Sequence, residues 1–336
     1  MFASARKSQA IRYFAYAKAP GSLEHFWHFT LGFMLPFLKQ IGECTDIARS
    51  RGIVVPSFGP VMNKLTESIV ARLEIPATFD ETLVIRTEAE QRIAAWSRHA
   101  ALRLQKLDQP PCSAAVRRKN DVFLPRLDHD LKFGGLDASQ FRRDVSSVRE
   151  MLISHAHKSC CCDSDIEPGS ILLLKRSAQP EFYSAQGDAE IKGYGSGRRE
   201  LHGLTDVAQS LSAAGATCKI YEPGKHDVFC QAKHFASARA IIGVRGAELT
   251  NMIWLKKTAL VLMIRSDFIS EGNRFKATPP QRRLAKALKI DGYYEIEVPN
   301  VISPTLSLSD LAPILNGQAD RHGPSLRPSA SIEVQS

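Results

Sequence analysis

"AIIGVRGAELTN", Ala240 to Asn251, is the stretch on which the reading of the whole chain turns. Ala240 to Val244 is an apolar run of the kind found in a strand buried on both faces of a sheet. It breaks into Arg245, Gly246 and Ala247, after which Leu249, Met252, Ile253 and Leu255 recur at roughly helical spacing. A solvent-facing turn more commonly uses Asn, Asp or Pro. A buried strand ending on a guanidinium, two small residues and a first helical turn suits an arriving anion. The small residues let it approach the helix amides at the carboxyl end of the strand.

The same alternation extends on both sides of this junction. "SILLLKR" reads as a strand, "LTDVAQSLSAAG" as a helix stopped by Gly215, and "ATCKIYEP" as a strand. "HDVFCQAKHFASA" is a helix leading into the opening strand. After the junction come the strand "ALVLMI", the helix "PPQRRLAKALKI", the strand "YYEIEVP" and a short helix near "LSDLAPIL". From Asn316 the tail is polar and unpatterned, as in disordered segments.

The first half carries a similar pattern. "IRYFAYA" is a strand, and Ser22 is placed to cap a helix running through the aromatic stretch to about Ile41. "GIVVP" follows as a strand, Val61 to Leu73 as a helix and "TLVIRT" as a third strand leading into the helical "EAEQRIAAWSRHAALRLQKL". Gln109 to Ser147 reads as basic and irregular, and "VSSVREMLISHAH" as a helix before the linker around "DIEPGS". Alternating strands and helices in both halves predict an α/β chain of two Rossmann-like, doubly wound domains facing a cleft. The expected divisions are 1–158, 165–316 and a tail over 317–336.

Composition narrows the partners. The 336 residues hold 44 Lys+Arg against 35 Asp+Glu, a net charge of +9, with 44% hydrophobic and 24% charged residues. That balance fits anionic small ligands or peripheral contact with an anionic membrane. No RRM, zinc-finger or helix-turn-helix signature points to nucleic acid. The seven cysteines include the run Cys160 to Cys162, but adjacent residues cannot converge on one tetrahedral metal, and the odd count argues against a disulfide framework. Thiols in a reducing compartment are the expectation. "MFASARKSQAIRYFAYAKAP" has no secretory core, and "FWHFTLGFMLPFL" is too short and interrupted for a membrane span. A cytoplasmic protein, peripheral to the inner face of the cell membrane, is predicted.

The second half resembles glycosyltransferase family 61. Its members carry a strand ending in a His/Arg-Gly-Ala-x-Leu-Thr-Asn type of signature, here Arg245, Gly246, Ala247, Glu248, Leu249, Thr250 and Asn251. Arg176 in "LLLKRS", Arg198 and Arg199 in "GRREL", and Gln231 one helix before the signature match further elements, and "FWHFTLGFMLPFL" is similar to the family's aromatic-His-Phe stretch. Arg245 stands where many members have His, and "LHGLTD" lacks the Asn-Glu pair that usually follows the Arg-Arg segment. The resemblance implies transfer of a sugar from a nucleotide-sugar donor to a hydroxyl with inversion, on a two-domain fold. It implies a glycan or glycolipid acceptor, in bacteria capsular or other surface polysaccharide.

Such a transfer needs the diphosphate leaving group stabilised by arginines, helix-terminal amides or a divalent metal. Arg245 with Gly246, Ala247 and Glu248 at the helix start supplies the first two; the alternative is a structural bridge from Arg245 to Glu248 or Asp267. Thr250 and Asn251 are candidate donors to nucleotide or phosphate, or else satisfy backbone groups. Arg176, Arg198 and Arg199 are candidate phosphate ligands, the last two after the Gly-rich "GYGSG"; solvated basic residues are their other reading. Glu222 is a candidate for a sugar or ribose contact or a surface carboxylate. Glu24 and His28, spaced i, i+4 beside His25, are the candidate catalytic pair, since a carboxylate orients an imidazole for deprotonating a hydroxyl. No Asp-x-Asp pair is judged to suit a metal-diphosphate site, so neither metal nor cofactor is expected. The competing class is a non-catalytic nucleotide-sugar or glycan-binding protein on the same fold.

Overall fold

A computed structural model of the chain describes residues 10–17, 23, 25–85, 120–156, 166–177, 200–266, 279–298, 305–309 and 311. It has mixed α/β architecture with two separate sheets, parallel throughout. Two compact units emerge: Met1–Ser159 with Asp227–Phe229, and Cys160–His226 with Cys230–Ser336.

In the first unit, β1 (Ile11–Tyr16) is central. β2 (Ile53–Pro56) and β3 (Ala77–Asp80) lie to one side of it. The other edge is shared by two short strands. β5 (Asp121–Phe123) pairs with Arg12 to Phe14, and β4 (Val84–Ile85) with Ala15 and Tyr16. β1 alternates, with Ile11, Tyr13 and Ala15 buried. Tyr13 meets Phe37 edge-on at 5.1 Å, Phe37 stacks on Phe33 at 5.0 Å, and Phe33 and Phe29 both abut Phe58. The aromatic stretch thus goes into the core rather than to a surface. It runs from α1 (Phe26–Phe29) through a π-helical segment, Thr30–Met34, into α2 (Leu35–Arg51), which is kinked at Cys44.

Local expectations fail here in three places. His25, not Ser22, stands at the N-cap in extended conformation, and the helix reaches Arg51. β3 was not anticipated, because "ATFD" has no apolar run. The segment read as irregular holds β5, α4 (Leu127–Phe133) and the start of α5 (Ala138–Ala156), after α3 (Pro60–Arg72). Asp137 caps α5 by accepting from the amides of Ser139 and Gln140. The helix expected over "EAEQRIAAWSRHAALRLQKL" and the tail from Asn316 lie outside the described residues.

The second sheet runs β10 (Gly292–Val298), β9 (Leu260–Ser266), β8 (Ala240–Val244), β6 (Ile171–Leu174), β7 (Cys218–Tyr221). Counted in chain order within the unit this is 2-1-3-4-5, one of the two common doubly wound orders. The chain therefore reverses direction across the sheet between β6 and β8. β6 is buried along its whole length, as a strand covered on both faces must be. On one face, Ile171, Leu173, Ile242, Leu262 and Ile264 pack with Leu204, Val207 and Leu211 of α6 (Leu204–Ala213). Leu306 and Leu311 close the same cluster, and Leu306 N donates to His202 O at 2.9 Å. α7 (Val228–Ser237) and α8 (Pro280–Leu288) are the remaining named α-helices among the described residues. The segment after β8, Ala247–Trp254, is a 3₁₀ helix rather than the α-helix its spacing suggested.

Cys44 and Cys230 are each disulfide-bonded, so these two are not the free thiols expected. Spacing along a chain is silent on which sulfurs the fold brings within bonding range. Cys218 is a free thiol, pushed up to about 11 by burial.

Candidate functional site

In an open parallel sheet, adjacent connections leave toward opposite faces at the point where strand order reverses, so a crevice opens beyond the carboxyl ends there. In the second unit that point lies between β6 and β8, and both strand ends carry arginines. Arg176 follows β6; Arg245 follows β8, its amide donating to Ile264 O at 2.8 Å. Arg176 Nε lies 3.0 Å from Glu248 Oε1, so the ion pair spans the reversal point. Glu248, one of the two partners considered for Arg245, thus pairs with Arg176. Asp267 lies outside the described residues.

Gly246 sits where a Cβ would run into the Glu248 carboxylate, so only glycine leaves that side chain its position over the loop. Its carbonyl accepts from Gln281 Nε2 at 3.1 Å, which ties the junction to α8. Thr250 and Asn251 are fully buried beneath the 3₁₀ helix rather than presented at its surface. Thr250 Oγ1 and both polar atoms of the Asn251 amide have no hydrogen-bond partner among the described residues. Glu222 follows β7 on the same sheet edge and pairs with Lys225 at 3.1 Å. Gln231 is a clasp: its amide donates to the carbonyls of Pro223 and His226, holding the loop after β7. Arg198 and Arg199 lie outside the described residues.

A like-charge argument gives an expected result here. Glu248 neutralises Arg176 at this strand end; if a nucleoside diphosphate such as UDP binds there, Glu248→Gln should strengthen its binding several-fold by calorimetry, the worth of a partly exposed pair. Weakened binding would instead make Glu248 a direct contact to the nucleotide.

In the first unit the reversal point is the carboxyl end of β1, between β2 and the shared β4/β5 edge. His28 is placed there, and its partner among the described residues is Asp128. The i, i+4 relation to Glu24 required a helix through both residues, but the helix begins at Phe26, and Glu24 is outside the described residues. Instead His28 Nδ1 is 2.7 Å from Asp128 Oδ2. Arg126 grips the same carboxylate with Nε and Nη2 at 2.6 and 2.5 Å, and its Nη1 donates to Tyr16 O, the last residue of β1, at 2.6 Å. His25 lies beside His28, rings 6.4 Å apart.

Burial alone raises the Asp128 carboxyl pKa, but hydrogen bonds and charge from Arg126, then His28, outweigh it and hold the group well below the usual carboxylate range. The depressed value means that this carboxylate adds stability above its unfolded pKa of about 4 and loses it as pH falls through the folded one. Arg126, Asp128 and Gln281 escaped the sequence reading. The only local signal was the acidic pair in "LDHD", 100 residues from His28. That stretch is one of two Asp-x-Asp triplets; Asp163 and Asp165 form the other, outside the described residues. Asp128 is committed to Arg126 and His28.

No helix among the described residues is long and apolar enough to cross a membrane. No curated protein matches this chain. Residues 26–262, more than half of the chain and spanning both strand-end clusters, match the family model described as glycosyltransferase 61, and the chain belongs to that family.

Proposed function

We propose that this glycosyltransferase is an inverting enzyme that moves a sugar from a nucleotide-sugar to a hydroxyl of a growing polysaccharide or glycolipid. The observation that carries the reading is the pair of arginine-bearing strand ends at the reversal point of the second sheet, where Arg176 pairs with Glu248 of the segment after Arg245. A departing diphosphate needs charge and donors placed where its negative charge develops, and a strand-end arginine beside helix-start amides supplies both. The reading carries a GT-B-like division of labour: the second unit binds the nucleotide, and the first serves the acceptor through His28. Peripheral contact with an anionic membrane is part of the proposal and rests on the charge of +9.

A thermal-shift screen against nucleoside diphosphates and their sugars tests the donor site, because a ligand of the folded state raises its melting temperature by mass action. No shift with any uridine, guanosine or thymidine diphosphate would remove the proposal's main support. The missing Asn-Glu pair in "LHGLTD" favours a second reading, a non-catalytic binder on the same fold. Release of nucleoside diphosphate without acceptor separates the two, since a binder shows none.

Activity is expected to survive excess chelator. The arginines supply the positive charge a metal would otherwise bring, and Asp128, in the only described Asp-x-Asp triplet, is already neutralised by Arg126. Complete loss on chelation, restored by manganese or magnesium, would contradict this.

A further inference from the structure

Burial falls off steeply along the Arg126, Asp128 and His28 series. The Arg126 and Asp128 side chains are 8% and 4% exposed, whereas that of His28 is 41% exposed. A purely structural ion-pair cluster has no need to leave one member open. Here two compensated charges are sunk behind an imidazole that reaches solvent by its far side. The cluster is also rigidly placed, since Arg126 is tied to the end of β1 through Tyr16 O and lies against the π-helical segment. At Gly32, in that segment, a Cβ would sit 2.9 Å from Arg126 Nε and 3.1 Å from its Cδ, so the glycine makes room for the guanidinium. π-helical turns of this kind occur frequently at functional sites.

We infer that Asp128 is the positioning residue of the His28 base, and that Arg126 keeps Asp128 anionic and fixed. This rests on the proposal that His28 acts as base. An anionic Asp128 can only accept, so His28 must donate Nδ1–H to it, which leaves Nε2 as the basic nitrogen. In the reaction, the acceptor O–H gives its proton to Nε2 while its oxygen bonds to the anomeric carbon. The bond from that carbon to the diphosphate oxygen breaks, and the nucleoside diphosphate leaves with the electron pair. The imidazolium so formed is stabilised by Asp128. Among the described residues, the charged and titratable groups shown around the ring are His25 on the helix start, Arg126 in the loop after β5, and Asp128 on α4.

The tautomer is measurable without any substrate. Two-bond ¹⁵N–¹H spectra of histidine-labelled wild-type protein at neutral pH should show His28 as the Nδ1–H form, assigned against His28→Gln. An Nε2–H form in the wild type overturns the inference, whatever any variant does. Asp128→Asn can donate its amide to Nδ1, so it should convert His28 to the Nε2–H form, as in the serine-protease Asp→Asn case. It should lower release of nucleoside diphosphate from a mixture of UDP-, GDP- and dTDP-sugars roughly 10–100-fold, the usual worth of an orienting partner. Asp128→Glu, which keeps an anionic acceptor, should retain the Nδ1–H form and recover part of the rate. If His28→Gln abolishes release but Asp128→Asn leaves tautomer, rate and pH profile unchanged, positioning by Asp128 is wrong and the base survives. Unchanged release in His28→Gln sinks the base and the inference together.

Discussion

His28→Gln should leave UDP affinity unchanged and lower turnover by on the order of 10²–10⁴-fold, the usual contribution of a general base. The expectation follows from chemistry and placement together. The proposed inversion requires a base that takes the acceptor proton on the face opposite the departing diphosphate. His28 is a half-exposed imidazole at the carboxyl end of the first sheet, held through Nδ1 by a buried carboxylate. Glutamine keeps a polar side chain of similar reach but cannot act as a general base. The fold should survive, because the Asp128 carboxylate keeps its two-point contact with Arg126 when the imidazole is gone. Loss of UDP binding in step with activity, or a protein that no longer folds, would make His28 structural. Wild-type turnover would place the base elsewhere, with an acidic residue the next candidate.

Arg245→Ala should weaken UDP binding by roughly one to two decades, the equivalent of losing one charge-assisted contact of a few kcal/mol at most. Arg245 sits one residue beyond β8, at the reversal point, with its backbone fixed to β9 through Ile264 O. The strand end therefore stays put when the side chain is shortened, and a loss of affinity can be assigned to the guanidinium. Calorimetry on Arg245→Ala together with Glu248→Gln makes the assignment sharper. The first removes positive charge from the edge and the second removes negative charge, so the two should move affinity in opposite directions. An Arg245→Ala protein that folds normally and binds UDP as tightly as wild type would strike Arg245 from the site.

Legibility in the sequence followed the physics of each element. β6, β8 and β9 could be read directly, because strands covered on both faces of a parallel sheet are written as apolar runs. The Arg245 junction was readable for the same reason, as an abrupt end to such a run. β3 and β5 could not be read, since edge strands of four and three residues owe their conformation to a neighbouring strand more than to their own side chains. The partner of His28 was out of reach because a helical offset is visible within a chain, whereas a contact spanning 100 residues exists only after β5 has laid α4 beside the end of β1. The burial of Thr250 and Asn251 was equally hidden. Helical spacing placed them one turn from the strand end, but it was the 3₁₀ winding and packing of Ala247–Trp254 that turned them inward.

The segment around Leu306 acts as a keystone. A fragment ending at Val298 would keep all five strands of its sheet and look complete as a topology. It would still lose Leu306 and Leu311, which fill the cluster formed by Ile171, Leu201 and Leu204. Two fully buried leucines are worth roughly 3–6 kcal/mol, against a typical total of about 5–15 kcal/mol for a whole domain. Such a fragment should bind dyes that report exposed apolar surface and should melt early, even with every ladder hydrogen bond available to it. Gly203 marks the place where the keystone seats, because a Cβ there would run into the Leu306 carbonyl. The unit is thus closed by residues far along the chain from its first strand, and its true limit lies past its last strand.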